Sequence, residues 1–516
     1  MAESTSSISA PRESLWTPLL DAMRGRKYEL ADTLLDQILA NPEPCNDYNS
    51  RNLFNEALIS DRVEIYLKIC KVIGHSAILD ARTLEVMARN NSYHILMHLD
   101  DKHPALVRAL ANPKGILYDP PIHVATQAGS TEVVMILLDY ITAETALRYS
   151  CYKVSLLTEA AFKGHDDIVE LLLEQPYISD LIKVPNANSP LARQYAGDYT
   201  ALHHAAVKLK YPVFKKLFDA YSLICDPCIL PAENNQTVLI SMIESRNTIS
   251  IKQFISDLGS DHPLLTKSDC FGQTPLHKAA AQGLTGIVSI LYEIYASRDM
   301  LLAVSGGPGH TFLNYLIQYD HSSIIYLLLK RSDFDLRLVS KTDNNGHTPL
   351  VHALYKGREE ICELLWPYSL ASVSISPACN KGVNILMLAV LMNIESAVNL
   401  ITSDADACNI LMISDDDGDT PLHAAIYVSS AEICGLVYDR APSTEQVYTQ
   451  TRHYGLTALH LAILYRGVDI IKVLLKDRAK ARAMMVIVDA DGKTAIDYAS
   501  MRSPEIVSML EAVMEA

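Results

Sequence analysis

Apolar residues in this chain fall into two kinds of segment that alternate along its length. One kind is short and rich in small residues, as in GQTPLHKAAAQG (272–283), GDTPLHAAIYVS (418–429) and GLTALHLAILYRG (455–467). The other is denser in large apolar residues, as in TEVVMILLDY (131–140), DIVELLLE (167–174), SIIYLLLK (323–330) and VDIIKVLLK (468–476). Both read as helices from their spacing. The apolar positions of the second kind cover more than one face, which predicts burial on both sides. Turn residues stand between one pair and the next: Asp269-Cys270-Phe271-Gly272, Asp343-Asn344-Asn345-Gly346, Asp415-Asp416-Asp417-Gly418 and Asp489-Ala490-Asp491-Gly492. The pattern predicts a chain of helix–turn–helix units.

The first segment keeps a strict register. One slot, Thr in the best copies, falls at Thr200, Thr237, Thr274, Thr311, Thr348, Asn384, Thr420, Thr457 and Thr494, in steps of 36 or 37 residues. Weaker copies extend backward through Ser155, Pro120, Arg82, Arg51 and Thr17, giving fourteen units with the first three degenerate. The step of 45 residues from Ser155 to Thr200 is the irregular one, and it holds an inserted loop, 184–198. Thr at the slot suits a helix N-cap, because its hydroxyl accepts from an orphan N–H of the first turn. Pro275 and Pro421 suit the first helical position, where a missing N–H costs nothing. Gly283, Gly357 and Gly467 come nine or ten residues after the slot and predict a left-handed stop to a short helix.

The combination D-x-x-G-x-T-P-L-H-x-A-A-x-x-G, followed by an I-V-x-L-L-L helix, resembles the ankyrin repeat. The resemblance covers about residues 15–513, with the fullest motifs in the units of Thr274, Thr420 and Thr457. The period is three or four residues longer than the usual 33, which implies a longer connection after the second helix. Units one to three, nine and eleven lack most of the motif. The resemblance implies an all-α fold, an ankyrin-repeat α-solenoid of stacked helix-turn-helix units. The organisation expected from it is a disordered tail (1–14), degenerate repeats (15–118), further repeats (119–183), the inserted loop (184–198), regular repeats (199–491) and a C-terminal capping repeat (492–516). The cap carries Glu505, Glu511 and Glu515 for a more polar outer face.

Composition then narrows the function. Lys plus Arg is 44 against 60 Asp plus Glu, a net charge of −16, which argues against nucleic acid or an anionic membrane as partner. No apolar run is long enough for a membrane span, and the first fourteen residues show no secretory signal pattern. The ten Cys are too dilute for a disulfide framework, and Cys70, Cys362 and Cys434 sit inside apolar helical patterns. The compartment expected is therefore a reducing one, the cytoplasm or the nucleus.

Candidate chemistry is sparse. His123, His203, His277, His423 and His460 share one register, but neighbours one repeat apart would stand roughly 9–10 Å from each other, too far to share zinc. The resemblance gives them a structural role, bonding the motif's own backbone and the neighbouring turn. Cys225-Asp226-Pro227-Cys228 supplies two thiols where a structural zinc site needs four ligands. Ser305-Gly306-Gly307-Pro308-Gly309-His310 lacks the Gly-Lys-Ser/Thr ending of a phosphate loop. Asp415-Asp416-Asp417-Gly418-Asp419 misses both end ligands of a calcium loop. The basic run Lys476, Arg478, Lys480, Arg482 reads as a solvated helix end. No stretch outside the repeats has room for a catalytic domain, so no enzyme activity, cofactor or metal is expected.

Aromatic residues supply the binding candidates. The chain has 26 Tyr against 8 Phe and 2 Trp, a bias toward rigid contact area with a polar tip. Phe162, Tyr319, Tyr355, Tyr427 and Tyr465 come seven or eight residues after the slot, and Tyr199, Phe271 and Tyr454 fall on turn tips. The resemblance places the first set at the end of the first helix, facing a concave groove, and the second set beside that groove. Packing against the next repeat is the competing role for each of them. The expected function is a monomeric, non-catalytic scaffold or adaptor for protein partners with basic or mixed surfaces. The alternatives are a structural linker to cytoskeletal or membrane proteins, or a secreted host-targeting effector.

Overall fold

The slot residues build the fold as caps. The computed structural model describes residues 15–40, 47–73, 81–112, 119–147, 154–183, 199–230, 233–369, 382–404, 410–441, 447–465 and 467–515. The tail 1–14 and the inserted loop 184–198 lie outside them. Each of the nine regular slot residues, Thr200 through Thr494, is the N-cap of the short helix that follows. At Thr420, Thr457 and Thr494 the hydroxyl accepts from the backbone N–H three residues on, while that residue's side chain accepts from the slot N–H. These reciprocal bonds satisfy two orphan donors at once.

Each short helix is followed by a second one. In the regular region the pairs include Pro275–Gln282 with Thr285–Ser297, Phe312–Gln318 with Ser322–Leu329, and Pro421–Val428 with Ala431–Arg440. The degenerate N-terminal segments pair as well: Trp16–Arg24 with Tyr28–Ala40, Asp47–Ser60 with Val63–Ile73, and Ala81–Asn90 with Tyr93–Lys102. No strand occurs among the described residues. The chain divides into two compact units, Met1–Leu264 and Leu265–Ala516.

Within each unit, first helices pack on first helices and second helices on second helices. Leu156–Lys163 meets Ala201–Lys208 in the first unit; Pro275–Gln282 meets Phe312–Gln318, and Ala431–Arg440 meets Val468–Leu475, in the second. The first helices are buried nearly all round, as at Phe312 through Ile317. The second helices bury doublets such as Ile287-Val288 and Leu291-Tyr292. Their burial is therefore lateral and inward only: on Ser322–Leu329 the outward Tyr326 and Leu327 are half-exposed. A doublet every four residues covers a broad stripe, not the full circumference.

The stop between the helices sits nine residues after the slot. Gly283 and Gly357 are left-handed there, with φ of 70° and 64°. Gly467 is not: its φ is −79°, and it is the N-cap of Val468–Leu475. It lies ten residues after Thr457, so it has passed the stop and entered the next helix. The left-handed residue is often not Gly. Arg246, Asp320, Asn393 and Ser429 hold it in the regular repeats, and Arg26, Asp61 and Asn91 hold it in the degenerate ones.

Four of the turns before a slot share one construction. Asp269, Asp343, Asp415 and Asp489 each accept, through Oδ1, the backbone N–H groups two and four residues on, at 2.8–3.0 Å. Successive tips are tied by backbone bonds: Gly306 donates to the Phe271 carbonyl at 2.6 Å, and Ala490 to that of Tyr454 at 3.0 Å. A Cβ at Gly272 would lie 2.6 Å from the Gly306 nitrogen, so this contact requires Gly.

Candidate functional site

Four of the predicted aromatics sit where first helices end in the second unit. Tyr355 closes Pro349–Tyr355, Tyr427 lies in the last turn of Pro421–Val428, and Tyr319 and Tyr465 are the C-caps of Phe312–Gln318 and Ala458–Leu464. Their exposures are 49% for Tyr319, 40% for Tyr355, 38% for Tyr427 and 57% for Tyr465. Tyr427 and Tyr465, from neighbouring repeats, meet edge to face at 5.6 Å. Tyr355 lies against the His347 ring at 5.1 Å. The Tyr427 hydroxyl reaches Asp419 Oδ1 at 3.4 Å. Burial and that carboxylate raise the pKa of the phenol, while burial and the Asp415 charge push Asp419 up to about 6.

The turn-tip residues divide. Phe271 and Tyr454 are exposed, and Tyr454 lines a cleft of about 290 Å³ with Leu456, Leu464, Asp489, Asp491 and Tyr498. Tyr199 is half-buried instead, packed on the rings of His203 and His204 with its hydroxyl on Gln236 Oε1. Phe162 is likewise half-buried, edge-on to His204 at 5.1 Å. These two, in the first unit, carry the inter-repeat packing that competes with a binding role.

The register histidines are caps with a long reach. Nδ1 of His277, His423 and His460 accepts from the slot Thr N–H at 3.0–3.2 Å. In His277 and His460 the ring proton is then on Nε2, which donates to the backbone carbonyl 33 residues on: His310 at 3.1 Å from His277 and Lys493 at 3.3 Å from His460. His203 does the same toward Gln236 at 2.9 Å. Burial lowers all four, to about 4 for His203, His277 and His423. His123 differs, lying 3.6 Å from Glu159 with both side chains fully buried.

The remaining motifs resolve into structure. Cys225 and Cys228 are not joined to each other, and Asp226 caps the turn between them. The Ser305–His310 segment is a tip bonded to the preceding one, and Asp415–Asp419 is the shared Asp turn. In the basic run, Lys476 pairs with Asp439, and Arg482 donates to the Val513 and Met514 carbonyls, covering the end of the last helix. One cluster was not anticipated from sequence. His310, Asp343 and His352, from two successive repeats, bring their ligand atoms within 4.8 Å of one another. The signal available was His immediately before the slot in two consecutive repeats, plus a His one residue past its usual register.

The family description "Ankyrin repeats (3 copies)" matches residues 84–183 and 313–412, and "Ankyrin repeat" matches 454–484. Rabankyrin-5 of Mus musculus is 34% identical over 161 residues, which is 31% of this chain and 13% of that protein; Rabankyrin-5 of Homo sapiens is 33% identical over the same length. The match thus spans only 13% of the length of these curated relatives. The ankyrin repeat domain of Bcl-3 aligns with TM-score 0.38 at 20% identity, covering 46% of this chain and 99% of that one. The human ASB11 ankyrin repeat domain aligns with TM-score 0.35 at 19% identity, covering 47% and 98%.

Proposed function

The chain belongs to the ankyrin-repeat family, and from that premise we propose that it is a non-catalytic scaffold or adaptor that binds protein partners along the ends of its first helices and its turn tips. The observation that carries this reading is the set Tyr319, Tyr355, Tyr427 and Tyr465, each left between 38% and 57% exposed although the helices that bear them are otherwise buried. A phenol ring offers a large rigid contact area at small cost in conformational entropy, with a hydroxyl for orientation. Phe271 and Tyr454 extend the surface onto the tips. Carboxylates accompany the rings, at Asp419 beside Tyr427 and at Asp489 and Asp491 beside Tyr454. With a net charge of −16, a basic or mixed partner surface fits best. We place the protein in a reducing compartment, because Cys70, Cys362 and Cys434 are buried as free thiols.

The test is a quantitative pull-down from native lysate read by mass spectrometry, comparing wild type with Tyr319→Ala/Tyr355→Ala/Tyr427→Ala. Circular dichroism first establishes that both are equally folded. The expected outcome is loss of a defined partner, by at least about tenfold given that truncating an aromatic anchor costs about 2 kcal/mol or more. Equal recovery of that partner would remove these tyrosines from the binding surface.

A further inference from the structure

We propose that His310, Asp343 and His352 form a binding site for one divalent transition-metal ion of the Zn²⁺ type, with His347 at its margin. Among the described residues this is the group whose His and carboxylate ligand atoms converge, all within 4.8 Å. His310 directly precedes the N-cap Thr311, and Asp343 opens the turn before the next repeat. His352 lies on Pro349–Tyr355, four residues after its slot and one beyond the register of the capping histidines. Val351 holds that register here and donates its N–H to Thr348, so His352 is not used as a cap.

The donors are arranged and unspent. His352 is only 7% exposed, and its Nε2 is buried without a hydrogen-bond partner. A buried ring nitrogen left unpaired is costly, and native structures seldom carry one without a reason. Asp343 is held by its own turn: Oδ1 accepts from Asn345 and His347 N–H at 2.8 and 2.9 Å. Its other oxygen, Oδ2, stands 3.7 Å from both His310 Nε2 and His347 Nδ1, beyond hydrogen-bonding range. The His310 and His352 rings meet edge to face at 4.8 Å.

The chemistry suits a borderline cation. Two imidazoles and one carboxylate, with His347 or water for the fourth position, are a usual donor set for zinc, whereas magnesium and calcium prefer oxygen alone. Zinc bonds of about 2.0–2.2 Å put tetrahedral ligand atoms roughly 3.3 Å apart, so the rings must close on the ion by about an ångström. Burial favours the neutral form of both His310 and His352, in which one nitrogen of each ring offers a lone pair to a cation. The Lys356 charge opposes a cation at both rings; Asp343 outweighs it at His310, whereas at His352 it outweighs Asp343. Lys356 is exposed, so solvent screens its share.

The experiment uses the full chain carrying Cys225→Ser/Cys228→Ser, so that no thiol pair competes, freed of metal with a chelator. It is titrated with Co²⁺ and followed by visible absorption, then with Zn²⁺ by calorimetry. One Co²⁺ per chain is expected, with the spectrum of a nitrogen and oxygen site, displaced by Zn²⁺ of micromolar or tighter affinity. His352→Gln and His310→Gln should each weaken Zn²⁺ at least about tenfold, the loss expected even for changes to groups that only hydrogen-bond to the ligands. Asp343→Asn retains the Oδ1 acceptor that holds the turn and should weaken binding likewise, with unchanged circular dichroism. No cobalt spectrum and no heat at about 0.1 mM Zn²⁺, a concentration that detects even weak sites, would overturn the proposal. So would binding that survives intact in His310→Gln/His352→Gln.

Discussion

A capping histidine in this chain carries a pH dependence that a capping asparagine does not. His277 is buried, takes the Thr274 N–H on Nδ1 and gives its Nε2 proton to the His310 carbonyl, and its pKa falls to about 4. In the unfolded chain the same ring titrates near 6.5. The unfolded state therefore binds more protons between those two values, and stability present above pH 6.5 is lost as pH falls toward 4. His203 and His423 share the shift, so acid weakens both units. At the same register, Asn314 already serves Thr311 with an amide oxygen. His277→Asn should thus keep the cap and remove its titration. In urea denaturation at pH 7 and pH 5, wild type should lose stability between the two, and the variant should lose about 1–2 kcal/mol less. An identical drop in both would mean that the ring is not held neutral in the folded state.

At the scale of the helix, the tyrosine excess has two causes, and only one of them faces solvent. Tyr292, Tyr295 and Tyr438 are buried on second helices, each with its hydroxyl donating to a backbone carbonyl of a neighbouring segment: Asp333 at 3.2 Å, Leu265 at 3.0 Å and Leu474 at 3.0 Å. Phe would fill the same volume and leave the carbonyl without that donor. Tyr295→Phe should cost about 1–2 kcal/mol, the penalty for an unsatisfied buried acceptor, read as a lower urea midpoint; an unchanged midpoint would make the ring alone responsible. Counting tyrosines therefore could not separate a binding surface from a core. What made the helix pairs legible was the slot, because a capping Thr declares itself in one residue. The left-handed stop was less legible, since Arg246, Asn393 and Ser429 hold it without the usual Gly, tolerated once packing on both sides fixes the turn. The cluster of His310, Asp343 and His352 was hidden for another reason: a register shift of one residue matters only when two repeats are stacked.

At the scale of the whole chain, caps are unevenly shared between the two units. The reciprocal capping boxes found among the described residues, at Thr274, Thr311, Thr420, Thr457 and Thr494, all belong to Leu265–Ala516. In Met1–Leu264, Ser155 and Thr237 cap their helices with a single side-chain bond, while Leu15, Pro120 and Thr200 begin theirs without one. A repeat array is stabilised by the sum of its units and their nearest neighbours, and a cap is worth about 1 kcal/mol, so the second unit should be the more stable. The two tryptophans allow each unit to be read alone, since Trp16 is buried in the first and Trp366 in the second. Trp366→Phe leaves Trp16 as the reporter, and the bond lost from Trp366 Nε1 to Asp404, 3.1 Å, belongs to the unit that is not being read. Trp16→Phe gives the converse. Fluorescence in urea should place the Trp16 midpoint below that of Trp366 by about 1 M, since several kcal/mol are divided by a slope of a few kcal/mol per molar for a unit of this size. Coincident midpoints would mean that the repeats unfold as one cooperative array, whatever the distribution of their caps.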